Sequence, residues 1–231
     1  MIKKGIFVVL LLLFCFKSVS QHKTDSLDLN FKVKFNTVGL ELNKEYSTSN
    51  NDKVTLETFR CYISNIEIQY ADKSIFIQKN GYHLLDLENP NSLLIPITKK
   101  NDKVINKVTF NIGIDSLTNN AGALTGDLDP TKGMYWAWQS GYVNMKIEGK
   151  SPSCKTRKNE FQFHIGGYLQ PNYAMRKLEF VLPKNTNELN FIIDLNDFFS
   201  NIKLSKTNSI MIPGKPAMLL ADYSIKMFHL E

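Results

Sequence analysis

One histidine in this sequence lies in a setting that suits metal binding. His164 belongs to the stretch Glu160–Tyr168, in which Phe161, Phe163 and Ile165 alternate with polar residues. If the stretch is a strand, this alternation places His164 on the face opposite the apolar side chains. Imidazole binds copper and zinc well. His164 is therefore the predicted metal ligand, and the alternative is a histidine that only makes a hydrogen bond.

Both tryptophans of the chain lie in the run Met134–Trp138. Trp136 and Trp138 share a face if this run is extended. They would form an aromatic surface for a ligand or an oxidisable site beside a metal, and the alternative is core packing. Met134 and Met211 are candidate thioether ligands for Cu(I), although methionine also serves as core filler.

Three aspartates, Asp115, Asp127 and Asp129, fall in the long segment 115–141, which also contains several glycines. Oxygen ligands on a flexible loop suit calcium, but the spacing is not that of an EF-hand. A calcium site is therefore one prediction for this segment. The other is that these aspartates only form turns, with Asp129-Pro130 beginning one of them.

Two cysteines, Cys61 and Cys154, follow the N-terminal region. In an oxidising compartment an isolated pair favours a disulfide. For a loop of this length such a bond would stabilise the fold by about 4–5 kcal/mol. Two separate buried thiols are the alternative.

The sequence carries no local enzyme motif. It lacks the GxSxG, HExxH, GxGxxG and P-loop patterns, and no local signature links its Ser, His and Asp residues. We therefore predict a protein that binds or delivers something, and not an enzyme.

The first twenty residues have the pattern of a secretory signal peptide. Lys3 and Lys4 precede a short apolar run, residues 6–16, and Ser18-Val19-Ser20 supplies small residues at the cleavage site. The run is shorter than the roughly 20 residues that span a membrane. We expect a periplasmic or secreted protein, residues 21–231, with no later membrane span. Phe14 before Cys15 disfavours an outer-membrane lipoprotein.

Charge gives little indication of a nucleic-acid partner. The whole chain has a net charge of +6, and three of its 28 Lys and Arg residues lie in the predicted leader. The remaining basic residues are scattered and do not interleave with aromatic residues in a patch. Nucleic-acid binding is therefore not expected.

Alternation with a period of two dominates the rest of the sequence and predicts an all-β fold. It is clearest around Phe31–Phe35, Val108–Ile114, Val143–Ile147, Leu178–Leu182 and Leu189–Ile193. About ten strands are expected, in one antiparallel β-sandwich or barrel-like domain with a long functional loop at 115–141. Loops are predicted at 36–56 and 150–159. Less regular strands are predicted at 59–70, 74–78, 82–87 and 223–230. Short helices are predicted at 197–202, after an Asn196 cap, and at 216–221.

Several blocks of this sequence resemble the MbnP-like family of copper-binding domains. They cover roughly residues 30–230 and are Phe59-Arg60, Tyr62–Ile66, Asp115-Ser116, Asn120–Gly126, Leu128–Pro130, Gly133–Trp138, Ser140–Tyr142, Phe163–Tyr168, Met211–Gly214 and Met227-Phe228. The resemblance implies an exported, β-rich, methanobactin-associated type of protein that binds copper. It also implies that a tryptophan near the metal can be oxidised to kynurenine by a partner diheme peroxidase-like protein. Carried over here, it makes His164 the ligand and Trp136 or Trp138 the modified residue.

Two hypotheses of function follow. The first is an exported copper-binding protein in copper acquisition or handling, in which His164 and a tryptophan converge. The second is a non-catalytic interaction or carbohydrate-binding sandwich, in which Trp136 and Trp138 form the ligand platform and calcium is structural.

Overall fold

The computed structural model describes residues 26–184, 186 and 188–231. The predicted signal peptide lies outside the described residues. Within them the strands are β1 Ser26–Phe35, β2 Val38–Gly39, β3 Glu45–Ser47, β4 Lys53–Tyr70, β5 Ile75–Ile77, β6 Tyr82–Asp86, β7 Leu94–Lys99, β8 Ile105–Ile112, β9 Val143–Lys150, β10 Glu160–Gly166, β11 Tyr168–Leu169, β12 Asn172–Tyr173, β13 Arg176–Val181, β14 Leu189–Asp194, β15 Ser209–Ile210 and β16 Phe228–Leu230. The α-helices are α1 Ser116–Asn120, α2 Leu195–Phe199 and α3 Lys215–Ile225.

Two sheets form the body of the fold. The smaller has the order β16-β14-β1-β2, with β7 also paired to β1. The larger has the order β13-β8-β4-β9-β10-β15, and β3, β5 and β6 also pair with the long strand β4. The predicted β-rich fold is confirmed, and most strand pairs are antiparallel. Two pairs, β1–β14 and β10–β15, are parallel.

The core lies between the two sheets and is rich in phenylalanine. Phe31 of β1 meets Phe110 of β8 with ring centroids 5.8 Å apart, and Phe110 meets Phe191 of β14 at 5.4 Å. All three rings are buried. Aromatic pairs with this edge-to-face geometry add stability beyond the area they bury, so this cluster joins the sheets.

The structure corrects several predicted elements. Segment 36–56 is not all loop, because it contains β2, β3 and the start of β4. Asp194, and not Asn196, caps α2 by accepting a hydrogen bond from the amide of Asn196. Residues 223–225 belong to α3, whose buried residues Ala217, Leu220, Ala221 and Ser224 follow the spacing of a helix face.

The long segment between β8 and β9 is a connection, as predicted. It contains α1 and two short 3₁₀ turns, Gly126–Leu128 and Pro130–Lys132. None of the helices in the described residues combines the length and the apolar content needed to cross a membrane.

The predicted disulfide between Cys61 and Cys154 is wrong in this structure, where both are free, buried thiols. In the pairing of β4 with β9, Cys61 lies opposite Met145 and Thr55 lies opposite Lys150. Cys154 comes after Lys150, in a turn where its amide donates to the carbonyl of Ser151. The step from Cys61 to Thr55 alone spans about 20 Å along the strand, whereas the Cα atoms of a disulfide lie within about 7 Å.

We expect thiol titration to find two free cysteines in a chain that begins at Gln21. Burial raises the pKa of the Cys154 thiol to about 11 and also raises that of Cys61, so neither should react with a thiol reagent in the folded protein at neutral pH. Both should react once the protein is unfolded without reductant. Thiols that appear only after reduction would show that the two cysteines are bonded.

Candidate metal centre

His164 lies where the alternation of β10 predicts it. Phe161, Phe163 and Ile165 are buried in the core, and His164 is on the opposite face of the sheet. His164 is nevertheless only 8% exposed. The long connection between β8 and β9 folds over this outer face and covers the imidazole.

A hairpin in that connection carries both tryptophans. The amide of Trp136 donates to the carbonyl of Gly141, and the amide of Val143 donates to the carbonyl of Met134. The chain reverses between them, with φ of 56° at Ser140 and 127° at Gly141. Glycine adopts the second angle without the steric cost that a Cβ atom would bring. Trp138 therefore lies at the hairpin tip.

A second, smaller core anchors this connection to the sheet. Its buried members come from β4, β6, the connection and β9, namely Tyr62, Leu84, Ile114, Leu128, Met134, Trp136, Tyr142 and Val143. Tyr142 is the centre of its hydrogen bonds, because its hydroxyl bonds to the amide of Leu124 and the carbonyl of Leu128, both at 3.0 Å. The Tyr62 hydroxyl donates to the carbonyl of Asp127 at 2.8 Å.

A cavity of about 420 Å³ opens beside the hairpin. Its walls include His164, Trp136, Trp138 and Met211, so the structure places the histidine and both tryptophans around one cavity. The two indole rings lie 6.1 Å apart. Trp136 is 6% exposed and Trp138 is 63% exposed, so the first forms the inner wall and the second the rim.

Gly166 allows the inner wall to form. A Cβ atom at this position would lie 2.7 Å from the six-membered ring of Trp136, which is closer than atoms can approach. The regular pairing of β10 with β9 also shifts between Ile165 and Gly166. The end of this strand is therefore shaped around the indole.

Glu148 holds the imidazole of His164 in place. Its carboxylate Oε1 lies 2.6 Å from His164 Nε2. The hydrogen bond with His164 is the main reason that the pKa of Glu148 is below its usual value, although burial opposes this shift. A carboxylate on one ring nitrogen orients a histidine and leaves the other nitrogen for a metal. No described residue hydrogen-bonds His164 Nδ1.

The register of three strands sets the charges of this outer face. Lys146 of β9 lies opposite Arg60 of β4 on one side and His164 of β10 on the other. Lys146 also lines the cavity. Burial is the main reason that its pKa is lowered; Arg60 lowers it further, and Glu148 acts in the opposite direction.

The two predicted methionine ligands have different positions. Met211 lines the cavity and is 39% exposed. Met134 is fully buried in the second core and is not among the residues that line the cavity. The hairpin directs the Met134 side chain to the core beneath the loop, away from the cavity that Met211 lines.

The structure places the three aspartates of the connection in separate local hydrogen-bond networks. Each carboxylate has local partners: Asp115 caps α1 and accepts from Tyr82, Asp127 pairs with Lys132 and the amide of Leu84, and Asp129 caps the second 3₁₀ turn. The described residues bring no three His, Cys, Asp or Glu side chains together in a metal-binding group. The alternative, that these aspartates form turns, agrees with the structure.

Sequence reasoning missed Glu148 and Lys146. The apolar residues Val143, Met145 and Ile147 were sufficient to place both on the outer face of β9. Their relation to His164 required the β9–β10 register, which the sequence does not provide. The other described histidines lie elsewhere: His83 bonds to Gln78, and His229 bonds to Asp197.

The family comparison agrees with this architecture. The MbnP family model matches residues 24–212, which is most of the chain. The chain belongs to the MbnP family. The predicted resemblance is thereby confirmed.

A solved structure of an MbnP family protein has the same fold. MbnP from Methylosinus trichosporium matches with a TM-score of 0.62 over 84% of this chain and 86% of that chain. The two sequences are 14% identical, so this likeness concerns the fold. A comparison with curated proteins gave no match.

We expect Glu148→Gln to destabilise the protein by about 1–2 kcal/mol at pH 7, because a charge-assisted hydrogen bond to His164 becomes a neutral one. The folded-state pKa of Glu148 is depressed, so its stabilising effect is present above the ordinary Glu pKa of about 4.3. It is lost as the pH falls through the folded-state pKa. Urea unfolding at a series of pH values measures this difference.

The control for this variant is Glu179→Gln, which removes an exposed carboxylate paired with Lys107. It should change stability by less than about 1 kcal/mol. A Glu148→Gln effect that stays constant down to low pH would show that the carboxylate charge is not its source.

Proposed function

We propose that this MbnP family member is an exported copper-binding protein that acquires or handles copper. The observation that supports the proposal is the cavity that His164 and Met211 line together with Trp136 and Trp138. An imidazole nitrogen and a thioether sulfur are donors that suit Cu(I). The bond from Glu148 to His164 Nε2 supplies the outer carboxylate that metal-binding histidines commonly have.

The donor set of the protein fits a weakly ligated copper ion. Among the described residues, no cluster of three His, Cys, Asp or Glu side chains is available. His164 and Met211 would therefore provide two donors and leave other positions to ligands from solution. Such a site suits a protein that receives and releases copper more than one that stores it permanently.

Binding, and not catalysis, is the proposed role. The sequence has no local catalytic motif, and the exposed Trp138 and Met211 leave the cavity open to solvent. The leader-like residues 1–20 support a place in the periplasm or outside the cell.

We also propose that Trp138 is the tryptophan that a partner oxidises to kynurenine, and that a diheme peroxidase-like protein supplies the oxidising equivalents. Both indoles line the cavity, but Trp138 is 63% exposed and Trp136 is 6% exposed. A partner protein can therefore approach Trp138 directly.

A second candidate function is the binding of a neutral carbohydrate. A cavity of about 220 Å³ adjoins the first and shares Trp136 with it. Tyr168, Gln139, Gln170 and Asn172 line this second cavity. An aromatic wall with uncharged amides is the chemistry that sugars require. Glycan binding that is lost in Trp136→Ala, without any effect of copper, would favour this function.

Copper titration tests the main proposal. We expect one Cu(I) per chain, measured by competition with a colorimetric chelator. His164→Ala should weaken binding by about a hundredfold or more, since loss of an outer hydrogen-bond partner alone costs about 10–100-fold. Met211→Leu should weaken it less, because only the thioether donor is lost.

The background for this experiment is a chain that begins at Gln21 and carries His22→Ala. A free amine followed by histidine would otherwise bind copper at the N-terminus. His229→Ala is the matched control, because His229 is exposed and bonds to Asp197. Full copper affinity in His164→Ala would contradict the proposed site.

Intact mass analysis tests the proposed modification. Protein secreted by its native host should carry the mass change of one tryptophan converted to kynurenine, and peptide mapping should place it at Trp138. Trp138→Phe should remove the change, whereas Trp136→Phe should retain it. An unmodified native protein would contradict this part of the proposal.

A further inference from the structure

Lys146 is a cation of the cavity that has no close partner. Its ammonium lines the same space as His164, Trp136 and Met211. It donates no hydrogen bond and has no carboxylate within 4.0 Å among the described residues. The side chain is half-buried, so bulk water does not fully replace the missing partner.

The charged side chains near Lys146 each have another ion-pair or hydrogen-bond partner. Glu148 attracts Lys146 from a distance, but its carboxylate bonds to His164. Arg60, which lies opposite Lys146, pairs with Asp86 at 2.8 Å and with Glu88 at 2.5 Å, and Lys132 pairs with Asp127 at 2.6 Å. Lys146 is thus the unpaired member of this group.

A second cation lies close to Lys146. A methyl group at Gly133 would lie 3.5 Å from Arg60 Nη1 and 3.8 Å from Lys146 Nζ. Like charges repel each other more strongly in a partly dehydrated site than in water, and an ammonium without a hydrogen-bond acceptor adds a desolvation cost. A negative group beside Lys146 would offset both costs.

We infer that Lys146 holds a small monovalent anion, a halide or a carboxylate, in the cavity formed with His164, Trp136 and Met211. An ammonium offers three donors to such an anion through charge-assisted hydrogen bonds. The cavity of about 420 Å³ has room for the anion beside a second ligand. None of the described residues provides a carboxylate within 4.0 Å of the Lys146 ammonium.

The anion has a further role that rests on the proposed copper function. A copper ion near His164 would be repelled by Lys146 across a partly buried cavity. An anion between the two would remove this repulsion. It would also supply one of the donors that His164 and Met211 leave open.

Iodide quenching of tryptophan fluorescence tests the anion site in the metal-free protein. Both tryptophans of the chain line the cavity, so bound iodide should quench their emission in a saturable way at constant ionic strength. Collision with the exposed Trp138 alone would give a linear dependence. Acetate is then added as a competitor of iodide. If acetate reduces the saturable quenching, the site binds carboxylates as well as halides. If it does not, the site binds halides alone.

Variants of Lys146 identify the group that binds. Lys146→Met should weaken saturable quenching by about tenfold or more, the loss expected for one charge-assisted contact of about 1.4 kcal/mol. Lys146→Arg should retain it. Lys177→Met, an exposed lysine of β13, is the matched control and should bind iodide normally.

Two results would overturn the inference: linear quenching in the unaltered protein, or saturable quenching that Lys146→Met leaves unchanged. A urea unfolding curve for each variant confirms that it folds. Because the assay contains no copper, anion binding with no copper binding would reject only the proposed function. Copper binding that is indifferent to acetate and to Lys146→Met would reject only the role of the anion in metal binding.

Discussion

The hydroxyl of Tyr142 is the interaction on which the candidate site depends most. The connection between β8 and β9 has little regular structure, so its backbone groups need partners of another kind. The buried Tyr142 hydroxyl bonds to backbone atoms of Leu124, Gly122 and Leu128. With Tyr62, it lets a long irregular segment pack on the sheet. Without this packing, the outer face at His164 would be open to water.

The two faces of the larger sheet serve different purposes because side chains alternate along each strand. The inner face supplies Phe163 and Ile147 to the main core. The outer face places Arg60, Lys146 and His164 in one row across three strands. A change of register by one residue would exchange the two faces, so the packing of the core also fixes the position of His164.

The sequence predicted the parts of this site that local patterns encode. Alternation placed His164 on the outer face, and the aromatic run identified the connection that carries Trp136 and Trp138. The sequence could not predict that Met134 would be buried in the core while Met211 would line the cavity. The turn at Ser140 and Gly141 decides which side chains of the hairpin enter the core. It also missed the pair of Glu148 with His164, since this contact joins two strands. The prediction of a disulfide also depended on strand register, because the pairing of β4 with β9 determines the distance between Cys61 and Cys154.

The arrangement of charges fits the proposed copper site, from which a bound ion would exchange readily. Glu148 fixes His164 on its inner side, whereas Met211 and Trp138 lie at the exposed rim. A buried inner donor and an exposed outer donor would orient a bound ion without enclosing it. The positive charge of Lys146 further lowers the affinity for a bare cation. The copper affinity of such a cavity would therefore depend on the anion bound with the metal as well as on the donors of the protein.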